Sequence, residues 1–121
     1  MVFDQRLGIL RGGNVISAEV ENKVRRVISR LEDPWNIHLN EEQGGRMVTH
    51  LAMALMRVEQ KEEILPPEKD LLEEFRDLAV YPRSLEIIDD LLCWVPMDLP
   101  AAEKDYMVLN ICLILDEDPE P

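Results

Sequence analysis

Apolar residues recur along most of the chain with the period of an α-helix. Between residues 17 and 33 the recurring apolar positions are Val20, Val24, Val27, Ile28 and Leu31. They fall on one helical face at i, i+4, i+7, i+8 and i+11. Ser17 is the predicted N-cap of this helix. Asp33-Pro34 ends it, because proline disfavours helical geometry in the residue before it.

A second predicted helix opens at Asn40 and contains the most apolar stretch of the chain, from Met47 to Val58. Little of such a helix can face water, so it is predicted to be the central helix of a bundle. The Gly44-Gly45 pair in its first turn is unfavourable, by about 1 kcal/mol per glycine relative to alanine. Either another segment approaches the backbone there, or the helix starts after the pair.

Three further helices follow from the same periodicity. The third begins at Pro66-Pro67, the fourth follows a break at Tyr81-Pro82, and the fifth runs from about Pro100 to Leu115. Proline is tolerated in a first helical turn, which suits the third start. The inner faces are predicted as Leu71, Leu72, Phe75 and Leu78 in the third helix, and Leu85, Ile88, Leu91 and Leu92 in the fourth.

No alternating strand pattern or hairpin signal competes with these helices, so the predicted fold is an all-α bundle of five helices. Residues 1–14 end in Gly12-Gly13-Asn14 and form a predicted N-terminal extension, which either docks on the bundle or adds a short strand. Residues 15–116 are the predicted helical domain, and residues 117–121 are a predicted acidic tail.

Charge restricts the partners of the protein. The 121 residues carry a formal charge of −12, with a pI near 4.5. Nucleic-acid binding usually requires a basic surface, and the one basic cluster, Lys23-Val24-Arg25-Arg26, is surrounded by acidic residues. Direct nucleic-acid and anionic-membrane binding are therefore not expected. Without an apolar run long enough for a signal peptide or a span, a soluble cytoplasmic protein is expected.

Neither the cysteines nor the loop histidine predicts a metal or cofactor site. Cys93 and Cys112 are too few for a disulfide framework or a zinc site, and both lie in apolar context. Both are therefore predicted to be buried free thiols. His38 has no second ligand at helical spacing and is expected to be an exposed loop residue.

His50 is the strongest candidate for chemistry. Arg57 follows seven residues later, a rotation of about 700° that returns it to within about 20° of the same helical face. A histidine near an arginine suggests handling of an anion, phosphate above all. The alternative is a structural histidine in the core or an interface, bonded to a backbone carbonyl, with Arg57 reaching a surface acid.

Enzymatic activity is not expected. Acidic pairs such as Glu62-Glu63, Glu73-Glu74 and Asp89-Asp90 lie in no apolar context that would separate their pKa values, so they suit solvated helix faces. The chain has no glycine-rich phosphate loop, GxSxG or CxxC motif. A small metabolic enzyme with His50 as general base stays a third alternative.

Two segments resemble the PTS regulation domain, the phosphorylation-controlled module of bacterial antiterminators and activators of sugar operons. They are His50-Leu51-Ala52-Met53-Ala54-Leu55-Met56-Arg57 and Glu103-Lys104-Asp105-Tyr106-Met107-Val108-Leu109-Asn110-Ile111. The Tyr81-Pro82 break and the helix start at Leu99-Pro100 also match, and the resemblance covers about residues 17–115.

The resemblance implies a five-helix bundle that forms a homodimer. It also implies that histidines near the dimer interface are phosphorylated by the histidine-containing phosphocarrier protein or a sugar-transport component. In the family, the added charge of about −1.5 to −2 changes the packing of the dimer and switches an attached RNA- or DNA-binding domain.

Transferred to this chain, the resemblance makes His50 the phosphoacceptor, Arg57 its charge partner, and Glu103 and Asn110 the facing polar pair. Asn110 stands where the family usually has a second phosphorylatable histidine, and asparagine cannot accept a phosphoryl group in this chemistry. Thr49 stands where an acid is common. One phosphorylation site at most is therefore expected.

Residues 1–14 are too few for a nucleic-acid-binding module, since domains usually need at least about 50 residues. We therefore expect a stand-alone homodimer that controls carbohydrate-utilisation genes through a separate regulatory protein. The alternative is an interaction protein of the same fold that is not phosphorylated, with His50 and Asn110 as buried polar residues of the dimer interface.

Overall fold

The computed structural model describes residues 3–117, apart from the side chains of Gln43 and Glu117, and this part of the chain forms six α-helices and no strand. They are α1 (Asp4–Gly12), α2 (Ala18–Glu32), α3 (Glu41–Glu59), α4 (Lys69–Arg76), α5 (Tyr81–Trp94) and α6 (Ala101–Glu117). The all-α prediction is confirmed. The additional helix is α1, whose conformation the sequence left open.

Helix α2 begins and ends where the sequence predicts. The Ser17 side chain accepts a hydrogen bond from the Val20 amide at 3.2 Å, as an N-cap does. The helix ends at Glu32, just before Asp33-Pro34. Its buried residues are Val20, Val24, Val27, Ile28 and Leu31, the predicted inner face.

Side-chain contacts fix the direction of α2 relative to its neighbours. Ser17, at the start of α2, donates a hydrogen bond to Glu59, at the end of α3, over 2.7 Å. On α5, the Trp94 carbonyl accepts a hydrogen bond from Arg26, whereas Asp90, one turn earlier, binds Arg30, one turn later. Helix α2 therefore runs antiparallel to both α3 and α5.

Helix α6 completes the bundle. Lys104 lies 3.5 Å from Asp89, whereas Cys112 lies within hydrogen-bonding reach of Ser84, so α6 runs antiparallel to α5. Helix α6 also packs against α3. Because α3 and α5 are both antiparallel to α2, α6 is antiparallel to α3 as well. Helices α2, α3, α6 and α5 thus form a closed four-helix bundle around the core.

Helix α1 explains the glycine pair of α3. A Cβ atom on Gly44 would lie 2.5 Å from Phe3 Cζ and 2.6 Å from Leu39 Cβ, and one on Gly45 would lie 2.8 Å from Arg6 Nη2. The helix runs through both glycines, so the close approach of another segment is the correct alternative. Phe3 and Leu7 are buried, so part of the predicted N-terminal extension belongs to the core.

Helix α4 lies outside the four-helix bundle, against α6. It begins at Lys69, two residues after Pro67, and none of its residues is fully buried. Phe75 and Leu78 are half-buried, whereas Leu71 is exposed, so the predicted inner face is narrower than expected. Helix α5 begins at Tyr81 with Pro82 in its first turn, as proline allows.

The prediction that both cysteines are buried was wrong for Cys93. Leu91 and Val95 face the core, and Cys93 lies two residues from each, on the opposite side of the chain, where it is exposed. Cys112 is buried in α6, and this desolvation raises the pKa of its thiol.

Two further expectations concern the chain as a whole. Helix α6 extends to Glu117, and residues 118–121 of the predicted acidic tail lie outside the described residues. Within residues 3–117, no helix is both long and apolar enough to cross a membrane.

Candidate functional site

The antiparallel packing of α3 and α6 arranges the four candidate residues in two layers. Arg57 on α3 contacts Glu103 on α6. Asn110 follows Glu103 by seven residues, and His50 precedes Arg57 by seven residues. In antiparallel helices these equal offsets bring His50 level with Asn110, about 10 Å along the bundle from the other pair. We name Arg57 with Glu103 the ionic layer, and His50 with Asn110 the polar layer.

The ionic layer is closed. Arg57 donates from Nε to Glu103 Oε2 over 2.8 Å and from Nη2 to Oε1 over 3.0 Å, a two-pronged contact. The Glu103 side chain is 3% exposed and that of Arg57 is 31% exposed. Hydrogen bonding to Glu103 raises the pKa of Arg57 further above its ordinary value. Both oxygens of this buried carboxylate are therefore bonded to a guanidinium, as a buried ion pair requires.

The polar layer is open. His50 is exposed, and within residues 3–117 it makes no hydrogen bond or ion pair. It is therefore not a core histidine bonded to a backbone carbonyl in this protein. Asn110 is half-buried and donates from Nδ2 to the Tyr106 carbonyl, one turn back on its own helix, over 3.0 Å. The structure brings Arg57 together with Glu103, and leaves the His50 imidazole accessible.

Two arginines near His50 were missed by the sequence reasoning. Arg46 precedes His50 by four residues on α3, a spacing that places the two side chains on the same face one turn apart. Arg6 of α1 lies against the neighbouring turn and donates from Nη1 to Thr49 Oγ1 at 3.4 Å. The helical spacing could have identified Arg46. Nothing in the sequence could have placed Arg6, because the conformation of α1 was undecided.

The basic cluster on α2 is neutralised only in part. Arg25 contacts Asp4 and Glu21, and Arg30 binds Asp90. Beside these arginines lies an open groove of about 590 Å³, lined also by the exposed Trp94. Of the cluster, Arg25 alone is paired with carboxylates in the described part of the chain.

The remaining histidine and the acidic residues form no second site in the described part of the chain. His38 is exposed, and its Nε2 lies 3.1 Å from Asn36 Oδ1 in the same loop. Among residues 3–117, no group of three or more His, Cys, Asp or Glu side chains is arranged to hold a metal ion.

Comparison with known proteins identifies the fold family. The model of the PRD domain family matches residues 25–112. The chain is similar to an uncharacterized protein of Haemophilus influenzae, with 30% identity over 84% of this chain and 82% of that protein. It is also similar to the uncharacterized protein YhfY of Escherichia coli, with 28% identity over 90% of this chain and 91% of that protein. No solved structure matches the chain.

Proposed function

The chain belongs to the PRD domain family, and on that premise we propose that it is a regulatory domain of the sugar phosphotransferase system with His50 as its phosphoacceptor. The observation that carries this proposal is the exposed imidazole of His50, which has no bonded partner among residues 3–117. A donor protein needs direct access to a ring nitrogen, and a histidine bonded within the core would not offer it.

The proposed step is a transfer between two imidazoles. The P–N bond on the phosphohistidine of the donor breaks, and a P–N bond to His50 forms. The ring proton that His50 loses goes to the donor histidine, so charge and atoms balance. The donor is the histidine-containing phosphocarrier protein or a sugar-transport component. The protein itself has no turnover of substrate in this scheme and requires no cofactor.

The added phosphoryl group would change how two copies pack in a homodimer. It brings a charge of about −1.5 to −2 at neutral pH to the surface around His50. If His50 lies at or near the interface between two copies, as in the resemblance, this charge favours a different packing of the dimer. We propose that the rearranged dimer acts in the cytoplasm on a separate regulatory protein that controls carbohydrate-utilisation genes.

The length of the relatives supports a partner in trans. The matches cover 82% and 91% of the two relatives, so those proteins consist largely of this one domain. A domain of this kind would pass its signal through a surface contact with another protein.

Phosphotransfer from labelled phosphoenolpyruvate tests the proposal. The purified protein is incubated with the two general phosphotransferase proteins, and the wild type is compared with His50→Ala and His38→Ala. His38 is also an exposed histidine and is therefore the matched control. We expect one label per chain in the wild type and in His38→Ala, and none in His50→Ala. An unlabelled wild type, or label that survives in His50→Ala, would refute the assignment.

Asn110 favours a second candidate, an interaction protein of the same fold that is not phosphorylated. Its side chain is bonded to the Tyr106 carbonyl and cannot replace a phosphorylatable histidine. In this case His50 serves the dimer contact alone. Sedimentation equilibrium of His50→Ala separates the candidates: a lost dimer, together with an unlabelled wild type, supports the second one.

A further inference from the structure

We infer that Arg46 and Arg6, and not Arg57, hold the phosphoryl group on His50, so that phosphorylation ties helix α1 to helix α3. This inference deepens the proposed function and rests on His50 being the modified residue. It assigns to α1 a role that the PRD match does not cover, because that match begins at residue 25.

Arg57 is not available to a phosphoryl group. Both of its hydrogen bonds go to Glu103, which is 3% exposed and is bonded through both oxygens. Turning the guanidinium towards His50 would leave a buried carboxylate without a cation, an arrangement that strongly destabilises proteins. Arg57 also follows His50 by two helical turns, and side chains of an α-helix lean towards its N-terminus, so that of His50 leans away from Arg57.

Arg46 lies on the N-terminal side of His50, towards which the His50 side chain leans. It lies one turn before His50 on the same face of α3, the spacing at which helical side chains meet. Arg46 is exposed, and it forms no ion pair with any residue between 3 and 117. A phosphoryl group on His50 would therefore meet a guanidinium that has no carboxylate to release.

Arg6 lies beside the turn of α3 that precedes His50. Its Nη1 lies 3.4 Å from Thr49 Oγ1, and its guanidinium covers the backbone at Gly45, where a Cβ atom would lie only 2.8 Å from Nη2. The backbone at Arg6 is held on both sides, because Phe3, which precedes α1, and Leu7 of α1 are buried. Within the described part of the chain it too has no carboxylate partner.

At about 100° per residue, both arginines lie on the same side of His50 around α3. Arg46 lies along the axis from His50, and Arg6 lies beside the preceding residue, Thr49. A phosphoryl group has three acceptor oxygens, enough for a two-pronged contact with one guanidinium and a single bond to the other. The weak Arg6–Thr49 contact would be exchanged for a charge-assisted one, and α1 would be held more firmly against α3, which Phe3 already meets at Gly44.

The test of these arginines does not depend on which protein donates the phosphoryl group. Phosphoramidate phosphorylates accessible histidines without any donor protein: its P–N bond breaks, a P–N bond to the imidazole forms, and ammonia leaves with the ring proton. In a His38→Gln background, His50 is the one histidine left, since the chain contains two. A titration followed by phosphorus NMR then reports the second pKa of the phosphoryl group.

Nearby cations lower that pKa because they favour the dianion. We expect Arg46→Gln to raise it by about 0.5, Arg6→Gln to raise it by a smaller amount, and the double variant to raise it by about the sum. Arg76→Gln is the matched control, an exposed arginine on α4, which packs against α6, and it should leave the pKa unchanged.

Hydrogen exchange gives a second measurement. Phosphorylation should slow exchange of the α1 amides in the His38→Gln protein, and Arg6→Gln should abolish this effect. An unchanged phosphoryl pKa in both arginine variants, or failure of phosphoramidate to modify His50, would overturn the inference. If phosphoramidate modifies His50 and the arginines behave as expected, but the phosphotransferase proteins do not label it, the proposed function fails and the arginine site stands.

Discussion

The two layers on α3 and α6 have the same spacing and opposite character. The ionic layer pairs Arg57 with a buried Glu103 through two hydrogen bonds, whereas the polar layer leaves His50 exposed and Asn110 bonded to its own helix. Both layers carry residues capable of handling an anion. The paired Arg57 is therefore part of the scaffold, whereas the imidazole of His50 is left accessible.

The largest expected effect is in the ionic layer. Arg57→Met should lower the free energy of unfolding by about 3 kcal/mol, because it leaves the Glu103 carboxylate buried without a cation. The double variant Arg57→Met/Glu103→Leu should recover most of this loss, since it removes both charges. Urea denaturation of the three proteins measures the difference. A single variant as stable as the wild type would contradict the scaffold role.

The next effect compares the two glycines under α1. Gly44→Ala should lower the free energy of unfolding by about 2 kcal/mol, because the new Cβ would meet the Phe3 ring and Leu39. Gly45→Ala meets only the flexible end of Arg6, and a gain in helix propensity of up to about 1 kcal/mol offsets that contact. Thermal unfolding of both variants decides the point. Equal losses of stability in the two variants would contradict the position of Phe3 and Arg6 against α3.

A smaller, pH-dependent effect on stability comes from the ion pair between Arg30 of α2 and Asp90 of α5. Hydrogen bonds from Arg30 and Trp35 hold the pKa of Asp90 below its ordinary value. Asp90 therefore stabilises the fold above the pKa of about 3.9 that it has in the unfolded chain, and this contribution disappears as the pH falls through its lower folded pKa.

Urea denaturation between pH 7 and pH 2 checks this dependence. Asp90→Asn should be less stable than the wild type at pH 7, and the difference should shrink as the pH falls below about 4. Asp89→Asn is the control, because its exposed contact with Lys104 contributes little at any pH. A difference for Asp90→Asn that does not change with pH would contradict the assignment.

The smallest effect is expected in the polar layer. His50→Ala should change the free energy of unfolding of the unphosphorylated monomer by less than about 0.5 kcal/mol, because an exposed side chain without a bonded partner is removed. Chemical denaturation at low protein concentration measures this change. A loss as large as that of Arg57→Met would mean that the two layers do not differ in the way the structure indicates.

Local patterns predicted the elements of the bundle but not their register. The apolar period and the Ser17 cap defined α2, because the information lies within one helix. By contrast, α1 has only nine residues, two of which are Gly8 and Gly12. Its stability comes from the packing of Phe3 and Leu7 on the bundle. No local signal reports such docking, so the sequence left this segment undecided.

The candidate site was likewise predictable within single helices but not between them. His50 and Arg57 followed from helical spacing, but the partner of Arg57 lies 46 residues away in the sequence and depends on how α3 and α6 pack. Cys93 was placed in the core because its neighbours are apolar, and only the packed structure shows which side of α5 it faces. Helical spacing therefore identified the candidate phosphoacceptor, whereas the tertiary packing determined that Arg57 is bound to Glu103.

The most direct measurement is intact-protein mass spectrometry after phosphotransfer from the general phosphotransferase proteins. The account predicts one phosphoryl group on the wild type, one on the Arg57→Met/Glu103→Leu double variant, and none on His50→Ala. This result would separate the accepting polar layer from the supporting ionic layer. A phosphoryl group on His50→Ala, or its loss from a folded double variant, would contradict the account.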